Sequence, residues 1–197
     1  MISSTPKPRA SDIYLPQNVD FHSTGWAIVS ESGTRLSAPD SNVSLTVPQG
    51  AVIPGELNRL YVTVLRQDKC SLRLDSMSTP LTPVVQFGSM QGEILLKPVV
   101  LSMPHVGGVN GDKKLTLKYC QNTDGPLPIW ETVKLNERID TRGVFMQLDN
   151  NMVHLVTSDM GAYVLLANLN DLSPGSGTIT SSSSSSSNFS SMKPLIN

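Results

Sequence analysis

The feature that most constrains this chain is a succession of short apolar runs, broken at close intervals by turn-forming residues and never set at helical spacing. Val43-Ser44-Leu45-Thr46-Val47 alternates apolar and polar residues, the pattern of a strand buried on one face. Leu60-Tyr61-Val62-Thr63-Val64-Leu65 is dense in β-branched and aromatic residues and predicts a more deeply buried strand. Pro83-Val84-Val85-Gln86-Phe87 and Pro98-Val99-Val100-Leu101 each open on a proline, which a strand tolerates at its first residue. Leu115-Thr116-Leu117-Lys118-Tyr119 alternates again, and residues 130–135, 144–148, 152–157 and 162–167 supply further runs. Between them stand Ser32-Gly33, Pro48-Gln49-Gly50, Pro54-Gly55, Gly107-Gly108, Asn110-Gly111-Asp112, Asp124-Gly125-Pro126 and Asp149-Asn150-Asn151. This punctuation predicts an all-β fold, an antiparallel β-sandwich.

The strand-like region spans residues 25–170, and one domain is expected there. Residues 1–24 are polar, carry Pro6, Pro8 and Pro16, and read as a flexible leader. Residues 171–197 contain the unbroken serine run 181–187 behind Pro174-Gly175-Ser176-Gly177. Serine and glycine bury too little surface to offset ordering entropy, so a disordered tail is expected.

Composition narrows the functional classes. Apolar residues make up 39% of the 197-residue chain, enough for a core, while aromatics at 5% leave that core to Val, Leu and Ile. With a net charge of -1 and Lys113-Lys114 as the one adjacent basic pair, nucleic acid is not an expected partner. Cys70 and Cys120 make no disulfide framework; one bridge is open to them, and two free thiols in a reducing compartment are expected. The acceptor tripeptides starting at Asn42 and Asn188 are read as unused, because the first 18 residues hold no signal-peptide run. The apolar stretch 94–103 is too short for a bilayer and contains Lys97 and Pro98.

No residue set carries a reaction. His22, His105 and His154 have no metal-ligand spacing to one another or to either cysteine. There is no nucleophile elbow, Walker loop or dinucleotide fingerprint. Gly107-Gly108-Val109-Asn110-Gly111 reads as a hairpin loop, since no Lys-Ser/Thr follows it. Asp40 and Glu56 flank the 43–47 run as capping or solvated groups, and Trp26 and Trp130 as packing residues. The expectation is no enzyme, with no catalytic, cofactor-binding or metal residues, no cofactor and no small-molecule substrate.

Three ordered blocks make the chain recognisable. The first is SGTRLSAPDSNVSLTVPQGAVIPGELNRLYVTVL, from Ser32 to Leu65. Thr79-Pro80-Leu81-Thr82-Pro83-Val84-Val85-Gln86-Phe87-Gly88 is the second, and Leu96-Lys97-Pro98-Val99-Val100-Leu101-Ser102-Met103-Pro104-His105 the third. Together they resemble the cytoplasmic ZU-type module shared by zonula-occludens scaffolds and uncoordinated-type netrin receptors, also carried by ankyrins and certain death-domain adaptors. Physically, Pro48 and Pro54 fix φ around the turn after the first clear strand, and Gly50 and Gly55 free the backbone there. Trp130-Glu131-Thr132-Val133 and the stretch 156–165 are similar to the later segments of the netrin receptors.

The resemblance implies a non-catalytic protein-interaction module taking part in netrin signalling and axon guidance. Its implied partners are neighbouring receptor-tail domains or cytoskeletal adaptors. Its implied location is the cytoplasmic side of the plasma membrane in a receptor, and the cytoplasm for this chain alone. The alternative is a scaffold module, ankyrin-like and spectrin-binding or of tight-junction type. The second β domain, death domain and transmembrane helix of the netrin receptors are missing from the sequence, so a fragment, splice form or free-standing relative is expected. His154-Leu155-Val156-Thr157-Ser158 lacks the Phe-Ser element at which some adaptors cleave themselves, so self-cleavage is not expected.

Overall fold

The computed structural model describes Leu15, residues 19–66, Cys70, Leu72, and residues 78–92, 94–106, 114–124, 127–135, 143–149 and 151–168. Most of the expected leader, the serine-rich tail, the Gly107–Gly111 loop, Lys113, Gly125-Pro126 and Asn150 lie outside these residues.

In chain order the strands are β1 (Thr24–Val29), β2 (Thr34–Ser37), β3 (Ser44–Val47), β4 (Asn58–Leu65), β5 (Ser78–Pro80) and β6 (Val84–Ser89). They continue as β7 (Val99–Pro104), β8 (Lys114–Cys120), β9 (Glu131–Thr132), β10 (Phe145–Leu148), β11 (Met152–Thr157) and β12 (Gly161–Asn168). A three-residue 3-10 turn, Phe21–Ser23, precedes β1. The expected all-β class holds: two antiparallel sheets pack face to face. Sheet A runs β1-β4-β6-β12-β8-β9, with β5 also paired to β12; sheet B runs β10-β11-β7-β3-β2.

The core lies between the sheets. Leu36, Leu45, Leu101 and Leu155 fall in register across β2, β3, β7 and β11 and point inward. They meet Leu60, Val62, Val85, Phe87, Leu117 and Leu165 from sheet A. Each such leucine contributes about 1.5–3 kcal/mol by leaving water.

The two sheets differ in their outer faces, and this difference decides where a partner can sit. Sheet A is buried on both at its central strands β4, β6 and β12. Tyr163, Leu165 and Ala167 of β12 enter the central core, while Ala162, Val164 and Leu166 enter a second cluster with Leu65, Val84, Cys70 and Cys120. Trp130, Leu72 and Val19 pack against that second cluster. A strand buried on both faces has no reason to alternate, which is why residues 162–167 read as an unbroken apolar run and residues 60–65 as one interrupted only by Thr63. Among the described residues sheet B is buried chiefly on its inner face, with Ser44 and Ser102 screened on the outer one, and β11 shows strict alternation of half-buried and buried residues.

Turn chemistry follows the sequence around residues 48–56. Gly50 and Gly55 take φ of 72° and 78°, a region costly for residues with a Cβ. Asn58 is buried and donates its side-chain amide to the carbonyls of Ile53 and Glu56, closing the loop that leads into β4.

Candidate interaction face

Pairing registers determine which side chains share the outer face of sheet B. Ser37 opposes Ser44, Ser44 opposes Ser102, Ser102 opposes His154 and His154 opposes Gln147. A polar row therefore crosses all five strands of the sheet. A second row, Arg35, Thr46, Val100, Val156 and Phe145, runs beside it and becomes apolar toward β10.

The polar row is internally bonded. Arg35 reaches diagonally from β2 and donates Nη2 to Ser44 Oγ at 3.1 Å. Ser102 Oγ and His154 Nδ1 lie 2.9 Å apart. Ser44 and Ser102 are small enough to be screened by these larger neighbours, at 3% and 7% exposure, and their hydroxyls need the partners they have.

Where the row meets the 38–43 loop the face deepens into a groove of about 660 Å³, lined by Arg35, Ser37, Asn42, Pro104, Asn151 and Met152 among others. The loop is held closed from within. Ala38 N–H donates to the Val43 carbonyl at 3.0 Å, Ser41 Oγ donates to the Ala38 carbonyl at 3.0 Å, and Val43 N–H donates to Ser41 Oγ at 3.3 Å. Asp40 and Asn42 hold φ of 55° and 53°, a conformation that Asp and Asn reach more readily than other residues with a Cβ. Asp40 is an exposed residue of the groove rim.

The structure disperses the sequence candidates. His22 lies exposed in the 3-10 turn before β1. His105 bonds through Nε2 to the Asp149 carbonyl at 3.0 Å, where the carbonyl can only accept, so Nε2 carries the proton. His154 bonds Ser102 in mid-sheet. A hydrolytic serine is met by Nε2 of a histidine whose Nδ1 is held by a carboxylate. Here the serine occupies Nδ1, so the pair orders the sheet surface. Glu56 is exposed in the loop before β4, far along the chain from Asp40. Among the described residues no three His, Cys, Asp or Glu side chains group as metal ligands.

Cys70 and Cys120 are free thiols in the cluster outside sheet A. Cys120 donates to the Asn122 carbonyl at 3.2 Å, and burial pushes its thiol up from the ordinary range. Trp130 packs on this cluster and donates Nε1–H to the Cys70 carbonyl at 3.1 Å. Trp26 is half-buried on β1, the edge strand of sheet A. The face of sheet B was missed as a site in the sequence, because Arg35, Ser44, Ser102 and His154 come together through pairing between distant segments. The alternation in residues 43–47 and 152–157 was the available signal, since it marks strands with one face left to solvent.

Among the described residues no helix is long and apolar enough to cross a membrane. Residues 25–121, from β1 to just past β8, match the family model of the ZU5 domain. ZU5 domains are non-catalytic protein-interaction modules of scaffolds and receptors, and this chain carries a ZU5-type module.

Proposed function

We propose that this chain is the interaction module of a netrin-receptor tail and acts in netrin signalling and axon guidance on the cytoplasmic side of the plasma membrane. The observation that carries this reading is the continuation beyond the family match. Trp130-Glu131-Thr132-Val133 and the strands around 156–165 resemble the later segments of those receptors. β12 sits at the centre of sheet A, between β6 and β8. This supports a single domain over residues 25–170, which the start of β1 at Thr24 and the packing of Val19 extend back to residue 19, with the rest of the leader and the tail 171–197 outside it. The module works through protein contacts, with no cofactor, metal or small-molecule substrate, and its partners are the neighbouring domains of a receptor tail.

The test is binding in trans. The full chain is mixed with the second β domain and death domain of a netrin receptor whose own ZU5 module has been deleted, and complex formation is followed by size-exclusion chromatography with light scattering. A stoichiometric complex is expected. Binding to a β-spectrin repeat fragment without binding to the receptor tail would overturn the receptor reading in favour of a cytoskeletal scaffold.

A further inference from the structure

Arg35 is underused by its own fold. It is exposed, and among the described residues its guanidinium makes one hydrogen bond, to Ser44 Oγ. A guanidinium carries five donors in a planar fork suited to a carboxylate, so most of its bonding capacity faces the groove. That bond to Ser44 also fixes the fork over the sheet, which lowers the ordering cost of binding.

The groove around it supplies complementary groups. Asn42 and Asn151 line it, and their side-chain amides make no hydrogen bond among the described residues. Each can donate to and accept from a passing main chain. Pro104 and Met152 lie in register on β7 and β11 and give the groove an apolar section. Asp40 also lines the groove and bears on the kind of anion: a phosphate dianion meets more repulsion from its carboxylate than a carboxylate monoanion does.

We propose that this groove receives an extended segment of a partner protein through one acidic side chain, an Asp or Glu whose carboxylate pairs with Arg35. Asn42 and Asn151 hold the main chain on either side of that residue. The proposal rests on the reading of the chain as a protein-interaction module and is independent of its assignment to a netrin receptor.

The experiment is a titration of the ¹⁵N-labelled full chain, followed by NMR at the Arg35 Nε–Hε signal and the amides of residues 38 and 40–43. The probes are capped octapeptides with a common Gly/Ser frame that carry two Glu, two Gln or two phosphoserines, with sodium acetate as a free-carboxylate control. The Glu peptide is expected to shift these signals saturably, and the Gln peptide to leave them in place. Arg35→Gln is expected to weaken the Glu peptide about tenfold, and Arg35→Lys, which keeps the charge and loses the fork, by about threefold. Asp40→Asn is expected to strengthen it and to bring the phosphoserine peptide closer in affinity.

Equal shifts with the Gln peptide, or no shifts with any peptide, would overturn the proposal. Tighter binding of the phosphoserine peptide to the unaltered chain would overturn the choice of carboxylate. Acetate producing the same shifts at equal carboxylate concentration would reduce the groove to an adventitious ion site only. Saturable shifts elsewhere on the surface with Arg35 unmoved would overturn the groove while leaving the interaction-module reading intact.

Discussion

Tyr163 donates its phenolic hydroxyl to the main-chain carbonyl of Asp159 at 2.7 Å, fastening β12 to the turn by which the chain crosses from sheet B to sheet A. Thr157 Oγ1 lies 3.2 Å from the same hydroxyl and accepts from Asp159 N–H at 3.0 Å. The ring is fully buried, stacked on Phe87 at 6.0 Å and tilted against Tyr119 at 5.0 Å. Tyr163→Phe keeps those ring contacts and strips the turn of its donor. Stability is expected to fall by about 0.5–1.5 kcal/mol, the net worth of one intramolecular hydrogen bond. Urea unfolding should show a lower midpoint at unchanged slope; an unchanged midpoint would mean that the turn is held by other contacts.

Gly25 marks the corner where the edge strands of the two sheets meet. A Cβ added there would collide with the Ser37 carbonyl oxygen and stand 2.6 Å from its carbon, and both belong to the β2 backbone. Backbone cannot swing aside as a side-chain tip can. Gly25→Ala is therefore expected to cost about 1–3 kcal/mol by forcing β1 and β2 apart. Chemical denaturation measures that loss. Because Ser37 also lines the Arg35 groove, the amide signals of residues 38 and 40–43 should move in the same variant.

Legibility in the sequence tracked burial. The expected strand 152–157 coincides with β11, where a repeated solvent-facing position leaves a period to read, and most other runs fall within two or three residues of their strands, the doubly buried ones through their density of apolar residues. β1, β2 and β5 were not delimited. Thr34–Ser37 contributes one inward residue, Leu36, and three residues at Ser78–Pro80 are too few to show a period. The run 130–135 yields only a two-residue strand, since Trp130 turns onto the outer cluster instead of extending the ladder. The interaction face was illegible for another reason. Ser44 and Ser102, or Ser102 and His154, are neighbours through register, and register is a property of the assembled sheet.

Burial of Cys70 and Cys120, at 0% and 1% exposure, makes their reactivity a probe of local opening. The thiolate is the reacting form, and the raised pKa of the Cys120 thiol suppresses it further in the fold. With an aromatic disulfide reagent at neutral pH, both thiols are expected to react on the order of 100-fold more slowly in the native chain than in urea. A native-state burst of one thiol at the unfolded rate would show that the cluster over sheet A does not shield it.

Alkaline pH should unfold this domain through its tyrosines. Tyr61 is 3% exposed, and burial raises its phenol to about 12; the bond from Gln86 Nε2 partly opposes the rise and the charge of Asp124 adds to it. Burial also raises Tyr119 to about 12, with Asp159 adding to the effect, and lifts Tyr163 higher still. In the unfolded chain each phenol ionises near its ordinary value of 10.0. Since the fold favours the protonated form, the unfolded state loses these protons first as pH rises. The contribution to stability is thus fully present below pH 10 and is lost as pH climbs from about 10 through 12. Urea midpoints measured from pH 8 to 12 should stay level at first and then fall. Tyr61→Phe and Tyr119→Phe should each flatten the fall, because both phenols are raised to about 12 in the fold. A midpoint that stays level to pH 12 would show that these phenols ionise in the folded state at little cost, against the desolvation that their burial implies.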